Sequence, residues 1–148
     1  MHMAHDIGLK LPKGWISETD TFEDEAGVEI TRLEASLPDG NDAAAFIGIY
    51  VGDMPEGETA EDQAFANYAE TVGFDEDDPE DFNPVYKIKF NGKNAWGFDA
   101  WSEDEMPMRF LSQEVRQGLL AIIYFSAADA KALEDLHAYL EANLRIRQ

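Results

Sequence analysis

The sequence predicts a single α+β domain built on an antiparallel β-sheet, and three observations support this fold class. Several segments have the composition of strands, the dipeptide Asn91-Gly92 marks a hairpin, and the last part of the chain has the apolar spacing of a helix. The 148 residues fit one domain, and a chain of this length buries enough surface to fold without disulfides or metals. We expect residues 1–8 to be a disordered or tag-like N-terminus and residues 9–148 to form the domain.

The strands are predicted from alternation and from short apolar runs. Two short strands flank a turn at residues 12–14, a third strand covers residues 28–37, and a turn at residues 38–40 leads into residues 44–51. Residues 85–90 and 95–101 form the hairpin around Asn91-Gly92, and residues 108–117 and 119–125 continue it. The result is a four-stranded antiparallel meander, whose last strand is apolar on both faces and is therefore deeply buried.

Two helices are predicted, each with a capping residue and an apolar stripe. Thr59 is the N-cap candidate of the first helix, Glu61 and Asp62 lie in its first turn, and Gly73 stops it. Ser126 is the candidate cap of the last helix, with Asp129 in its first turn. The inner stripe of the first helix contains Ala64, Phe65, Tyr68, Ala69 and Val72, and that of the second contains Leu133, Leu136, His137, Leu140 and Leu144. Residues 145–148 are a tail or a short closing strand.

The two ends of this arrangement carry recognisable motifs. The domain begins with Leu11-Pro-Lys-Gly14-Trp15, and a buried strand near its end runs straight into a helix that ends in Asn143-Leu144-Arg145-Ile146. With the order of the elements between them, the chain resembles the Mog1/PsbP-like fold group, as a distant bacterial member. The resemblance implies an antiparallel sheet with helices packed on both faces, an α/β/α sandwich. It also implies a mostly non-enzymatic group, which includes a Ran-GTPase-binding protein, a photosystem II subunit and bacterial chaperone-like adaptors.

Composition restricts the compartment and the cofactors. The chain has no cysteine, so disulfides and thiolate metal sites are excluded and a reducing, cytoplasmic location is expected. The N-terminus lacks the basic segment and apolar run of a signal peptide, and the longest apolar run, residues 119–125, is too short to span a bilayer. We expect no cofactor.

The charge is strongly one-sided. The net charge is −20, and the stretch between Arg32 and Lys87 holds fifteen acids and no Lys or Arg. Such a field repels phosphate groups, so nucleic acid and anionic membranes are poor partners, whereas a basic protein or peptide is attracted. Solubility alone is the alternative interpretation.

Candidate binding residues lie in the acidic loop and at one tryptophan. Trp101 falls near a strand end on the face opposite to Trp96 and Phe98, and we expect it to be half exposed, as at interaction surfaces. The remaining aromatic candidates, Trp15, Phe110 and Tyr124, are expected in the core. The loop candidates are Asp75, Asp77, Asp78 and Asp81, which lack the residue order of a calcium loop, so a solvated charge run is favoured over a metal site.

Catalytic and metal-binding alternatives have weaker support. His2, His5 and Asp6 could bind a metal only adventitiously, because they lie in the terminal segment. His137 lies on the apolar stripe of the last helix and is expected to be a packed histidine. Asp99 and Glu114 might face each other on adjacent strands, but 31 acids make a chance pair unavoidable.

The sequence therefore favours a non-enzymatic binding or adaptor domain, of chaperone-like character, with an acidic surface for a basic partner. Gly-rich phosphate loops, Gly-x-Ser-x-Gly and Cys–His pairs are absent, so no catalytic residue is assigned. The alternative is an enzyme that acts on a small molecule with carboxylates in a pocket. The oligomeric state is left open.

Overall fold

The fold is taken from a computed structural model, which describes residues 6–11, 14–25, 27–39, 42–73, 84–101 and 106–147. Nine strands and two helices follow one another in this part of the chain: β1 (Asp6–Leu9), β2 (Ile16–Glu23), β3 (Glu29–Asp39), β4 (Asp42–Asp53), α1 (Ala60–Thr71), β5 (Tyr86–Phe90), β6 (Lys93–Trp101), β7 (Pro107–Arg116), β8 (Leu119–Ala127), α2 (Ala130–Asn143) and β9 (Leu144–Arg147). Strand β1 begins at Asp6, three residues before the expected start of the domain.

Seven of the strands form one antiparallel sheet. Their order is β2-β3-β4-β8-β7-β6-β5, and every neighbouring pair is antiparallel. The predicted four-stranded meander is confirmed, because β5 to β8 are neighbours in sequence order. Strands β1 and β9 pair separately as a two-stranded sheet, so the end of the chain is a closing strand rather than a tail.

The two faces of the large sheet bury different sets of side chains. The back face carries Leu111, Ile123 and Phe125, and it packs against α2 and the β1–β9 pair to form the main core. The front face carries Tyr50, Phe98, Phe110 and Tyr124, whose side chains all point to the same side of the sheet. Helix α1 lies over part of this face. Alternation along each strand separates the two sets, since successive side chains point to opposite faces.

Local sequence signals explain most of the element boundaries. Thr59 caps α1 as predicted: its hydroxyl accepts from the Asp62 N–H at 3.1 Å, and the Asp62 carboxylate accepts from the Thr59 N–H at 3.0 Å. Asn91 and Gly92 take φ of 56° and 83°, which a two-residue hairpin turn requires. The predicted cap of α2 is wrong, because Asp129 is the N-cap and Ser126 belongs to β8. The carboxylate of Asp129 accepts from Ala132 N–H at 2.8 Å.

The predicted α/β/α sandwich is wrong: the protein is mostly β, and its sheet of seven antiparallel strands is accompanied by two helices in the described residues. The physical reason is that the sheet is too wide for one helix on each face to cover. A helix with its side chains is about 10 Å across and covers about two strands spaced about 4.8 Å apart, whereas seven strands span about 29 Å. Helix α1 accordingly contacts β6 and β7, and α2 lies mainly against β8 and β7, so neither face carries a helical layer.

Candidate functional site

A belt of aromatic rings crosses the front face of the sheet. Neighbouring ring centroids lie 4.8 to 6.4 Å apart, the range in which aromatic pairs attract one another. Antiparallel register puts Phe98, Phe110 and Tyr124 directly opposite one another on β6, β7 and β8. The row then continues diagonally, because Tyr50 lies two residues along β4 from Gly48, the partner of Tyr124, and Phe22 lies across β3 in the row of Gly52. In order from α1 to the sheet edge, the belt contains Tyr68, Phe98, Phe110, Tyr124, Tyr50 and Phe22.

Two glycines on β4 make room for this belt. A Cβ atom at Gly48 would lie 2.2 Å from Cζ of Tyr124, far inside van der Waals contact. A Cβ atom at Gly52 would lie 2.5 Å from Cδ1 of Ile30. The bare backbone at these positions therefore lets a ring and an aliphatic side chain lie flat over the strand.

Beside α1 the belt forms the floor of a groove. We call it the front groove, a cavity of about 540 Å³ between the sheet and α1. A volume of this size is typical of sites that take a ligand or a large side chain. Gln63 and Asn67 of α1 line it together with Pro55, and its remaining lining residues are mostly apolar: Phe22, Asp24, Val28, Ile30, Tyr50, Asp53, Phe110, Leu120, Ile122 and Tyr124.

The charges around the front groove are mostly acidic. Asp24 and Asp53 are exposed at its margin. The one nearby cation, within the described residues, is Arg32, whose guanidinium lies 5.0 Å from the Phe22 ring centroid. Two hydrogen bonds to Asp20, at 3.0 and 2.7 Å, raise the pKa of Arg32 and neutralise its charge locally. An approaching partner therefore meets an apolar floor with a negative margin.

Tyr124 at the centre of the groove is held neutral. Burial, followed by a hydrogen bond with Tyr50, raises the pKa of Tyr124 above its usual range. The hydroxyl therefore stays protonated at physiological pH, and the groove floor has polar hydroxyls but no anion.

A second cluster lies on the back face, where Arg109 joins the sheet to α2. The guanidinium of Arg109 donates to both carboxylate oxygens of Asp99, at 2.8 and 3.1 Å, and to Glu134 at 2.5 Å. It also lies 3.0 Å from Nδ1 of His137. The Tyr86 hydroxyl donates to Asp99 at 2.6 Å. The five side chains line a shallow cavity of about 330 Å³, which we call the arginine cluster.

The titration of the arginine cluster follows from these contacts. Burial alone would raise the pKa of Asp99, but the hydrogen bonds from Arg109 and Tyr86 hold it below its usual range. The hydrogen bond from Arg109 likewise lowers the pKa of Glu134. Burial and the neighbouring Arg109 charge lower the pKa of His137, so its ring is neutral near pH 7 and Nδ1 can accept from the guanidinium.

Of the predicted binding residues, Trp101 is the one that the structure describes. Trp101 is 70% exposed, more than the half exposure expected, and it lies on the back side of β6, opposite to the front groove. Asp99 and Glu114 do not face each other, in line with the preference for a chance pair, because Asp99 lies opposite Arg109 and Glu114 accepts from the Gly118 N–H. His137 is a packed histidine between Phe90 and Phe125. The acidic candidates Asp75, Asp77, Asp78 and Asp81, like His2 and His5, lie outside the described residues.

The front groove was missed by sequence reasoning, although part of the signal was present. Phe110 and Tyr124 were assigned to the core, yet both are only partly buried because α1 stops short of β8. The alternation of Phe46, Gly48, Tyr50 and Gly52 in β4 marks one face as bare and aromatic, and this pattern could have indicated a ring-lined surface.

Comparison with known proteins adds no relative: no family model matches the chain, and neither a curated protein nor a solved structure matches it. Neither α1 nor α2, the helices in the described part of the chain, has the length and apolar character needed to cross a bilayer. Among the described residues, no three His, Asp or Glu side chains come together in a way that could hold a metal ion.

Proposed function

We propose that this protein is a non-catalytic binding domain, an adaptor or chaperone-like module, whose front groove takes apolar side chains of a basic partner protein. One observation carries the proposal: the aromatic belt continues past α1 over β8, β4 and β2, where no described element covers it. Apolar area of this kind on a folded domain marks an interaction surface. Aromatic residues are also the side chains that contribute most at protein interfaces.

The negative charge of the chain favours a basic partner. The chain carries −20, and the fifteen acids between Arg32 and Lys87 have no base among them. At physiological ionic strength a charge acts over about 8 Å, so a dense acidic stretch attracts a basic surface and speeds the encounter. Nucleic acid and anionic membranes are repelled by the same field.

An enzymatic function has less support. The arginine cluster is the best candidate for an active site, since five polar groups converge there beside a cavity. Each of them, however, is already bonded to another member: Arg109 to Asp99, Glu134 and His137, and Tyr86 to Asp99. Groups that satisfy one another tie α2 to the sheet, so none of these five is free to act as an acid, base or nucleophile.

The wider assignments remain part of the proposal. The relation to the Mog1/PsbP-like group is supported by the end motifs Leu11-Pro-Lys-Gly14-Trp15 and Asn143-Leu144-Arg145-Ile146. A cytoplasmic location is supported by the absence of cysteine from the whole sequence.

The test is capture of partners from an extract of the source organism with three immobilised proteins: wild type, Ile30→Ser and Trp101→Ser. Ile30 lines the front groove, whereas Trp101 is exposed on the other side of the sheet. We expect a basic protein to be retained by wild type and Trp101→Ser, to be released by moderate salt, and to be lost with Ile30→Ser. Thermal unfolding confirms that each variant is folded. Equal capture by Ile30→Ser, or loss with Trp101→Ser alone, would contradict the proposal.

A further inference from the structure

We infer that the partner binds as an extended segment that adds a strand to the free edge of β2 and places an apolar side chain in the front groove. The inference rests on the proposed function and specifies how the partner binds. It assigns a recognition pattern of one apolar residue followed, at spacings of two, by Lys or Arg.

Strand β2 has the properties of an accepting edge. It is the first strand of the seven-stranded sheet, and β3 is its one partner among the described residues. Seven of its eight residues are exposed and only Phe22 is partly buried, so neither of its faces is packed. An edge strand presents a row of outward N–H and C=O groups, which another extended chain can pair with.

The acidic side chains of β2 favour a Lys or Arg side chain in the partner. Glu18 and Asp20 lie on the front side of the strand, and Glu18 is directly opposite Glu34 of β3. Like charges in that position repel each other. Arg32 compensates Asp20 at 2.7 Å and Glu34 at 3.4 Å, and it is the only Lys or Arg between Lys13 and Lys87 in the sequence. The guanidinium therefore pairs with two of these three carboxylates and not with Glu18, and a Lys or Arg beside Glu18 would relieve the repulsion.

The edge and the front groove are continuous. Phe22 belongs to β2 and also lines the groove, and it shares the front side with Asp20 and Glu18. Alternate residues of an added strand would lie about 7 Å apart on this side. If one of them lies level with Phe22 and reaches into the groove, the next two lie beside Asp20 and Glu18. When the added strand runs antiparallel to β2, it meets Phe22 first and Glu18 last, which produces the apolar-then-basic pattern.

A second copy of this chain is the competing occupant. Strand β5 is the opposite edge of the sheet and carries Lys87 and Lys89, both exposed. Pairing of β2 with β5 of another molecule would match charges but would continue without closure into filaments. Pairing of β2 with β2 would bring acids together. We therefore assign the edge to a segment of a different protein.

The experiment uses the full chain and a synthetic peptide, acetyl-Leu-Thr-Lys-Thr-Lys-Thr-amide, with an analogue in which Glu replaces Lys. Hydrogen exchange measured by mass spectrometry should show the outward-facing amides of β2 exchanging about fivefold more slowly with the Lys peptide at saturation, since each added strand hydrogen bond contributes about 1 kcal/mol. The Glu peptide should leave exchange unchanged. The variant Glu18→Gln should weaken binding about two- to fivefold, while Glu70→Gln on α1 should leave it unchanged.

Two methylated peptides separate the binding mode from the binding site. One is N-methylated at its Thr residues and the other at its Lys residues, so that in an added strand the amides of one set face β2 and those of the other face solvent. We expect one analogue to lose at least about tenfold in affinity and the other to bind nearly as well as the parent. If both methylated peptides bind equally well and the unmethylated peptide still binds in the front groove, the added strand is wrong but the proposed function stands. Absence of binding by the parent would count against both, and concentration-dependent self-association in sedimentation would favour the second copy.

Discussion

Replacement of Gly48 by Ala should displace Tyr124 and open the aromatic belt. The added Cβ atom would lie 2.2 Å from Cζ and 2.3 Å from Cε1 of the ring, whereas carbon atoms in contact lie about 3.5–4.0 Å apart. The ring must therefore move off β4 by more than about 1 Å, which disturbs its stacking on Phe110, whose ring centroid lies 5.4 Å away on the other side. Overpacking of this kind costs about 1–3 kcal/mol. For a domain of this size each kcal/mol lowers Tm by about 2–4 °C.

The control is the same change in a Tyr124→Leu background. The three atoms nearest to the added methyl group, Cζ, Cε1 and Oη of Tyr124, lie beyond the reach of a leucine. Without the clash, Ala in a strand interior is favoured over Gly by about 0.5–1 kcal/mol, so Gly48→Ala should become neutral or stabilising. Urea unfolding of the four proteins gives the coupling energy. If the cost of Gly48→Ala is the same in both backgrounds within about 0.5 kcal/mol, the described packing of Tyr124 over β4 is incorrect.

Three further predictions concern the arginine cluster and the acidic loop. Arg109→Met should destabilise the fold by about 1–3 kcal/mol in urea unfolding, because it removes charged hydrogen bonds that tie α2 to the sheet; a change within experimental error would refute that tie. The pKa of His137 is lower in the folded state than its unfolded value of about 6.5. The stability contributed by the neutral ring should therefore be fully present above that pH and be lost as the pH falls through the folded pKa. His137→Gln should abolish this pH dependence of stability between pH 7 and 5, where the carboxylates of the arginine cluster stay ionised. A variant with Asn in place of four acids should bind the partner more slowly at low salt in stopped-flow measurements, and its association rate should depend less on salt, with Tm unchanged. An association rate equal to that of wild type would mean that the four acids do not contribute to binding. The four replaced residues are Asp75, Asp77, Asp78 and Asp81.

Local signals predicted local structure well. Thr59 and Asn91-Gly92 determine their own conformations through short-range hydrogen bonds and positive φ, so they could be located without knowledge of the fold. Glu61, Asp62 and Glu70 of α1 are all exposed, as expected for residues outside its apolar stripe. The inner positions predicted for Ala69 and Val72 are wrong, because Ala69 is exposed and Val72 follows the helix and is 51% exposed.

Features that depend on register could not be predicted. Arg109 meets Asp99 ten residues away and His137 twenty-eight residues away, and both contacts depend on which strands are neighbours. Strand β2 gave little apolar signal because an edge strand with two open faces can be polar throughout. The front groove required knowledge of how far α1 extends across the sheet, which no helix pattern contains.

Methyl NMR of isoleucine-labelled protein, during titration with the Lys-containing peptide, shows whether the front groove takes apolar side chains of a basic partner. Ile30 and Ile122 line the groove, while Ile88 lies on the back face. We expect saturable shifts of the Ile30 and Ile122 methyl signals, no shift of Ile88, and no response to the Glu-containing peptide. Shifts centred on Ile88, or equal shifts with both peptides, would contradict it.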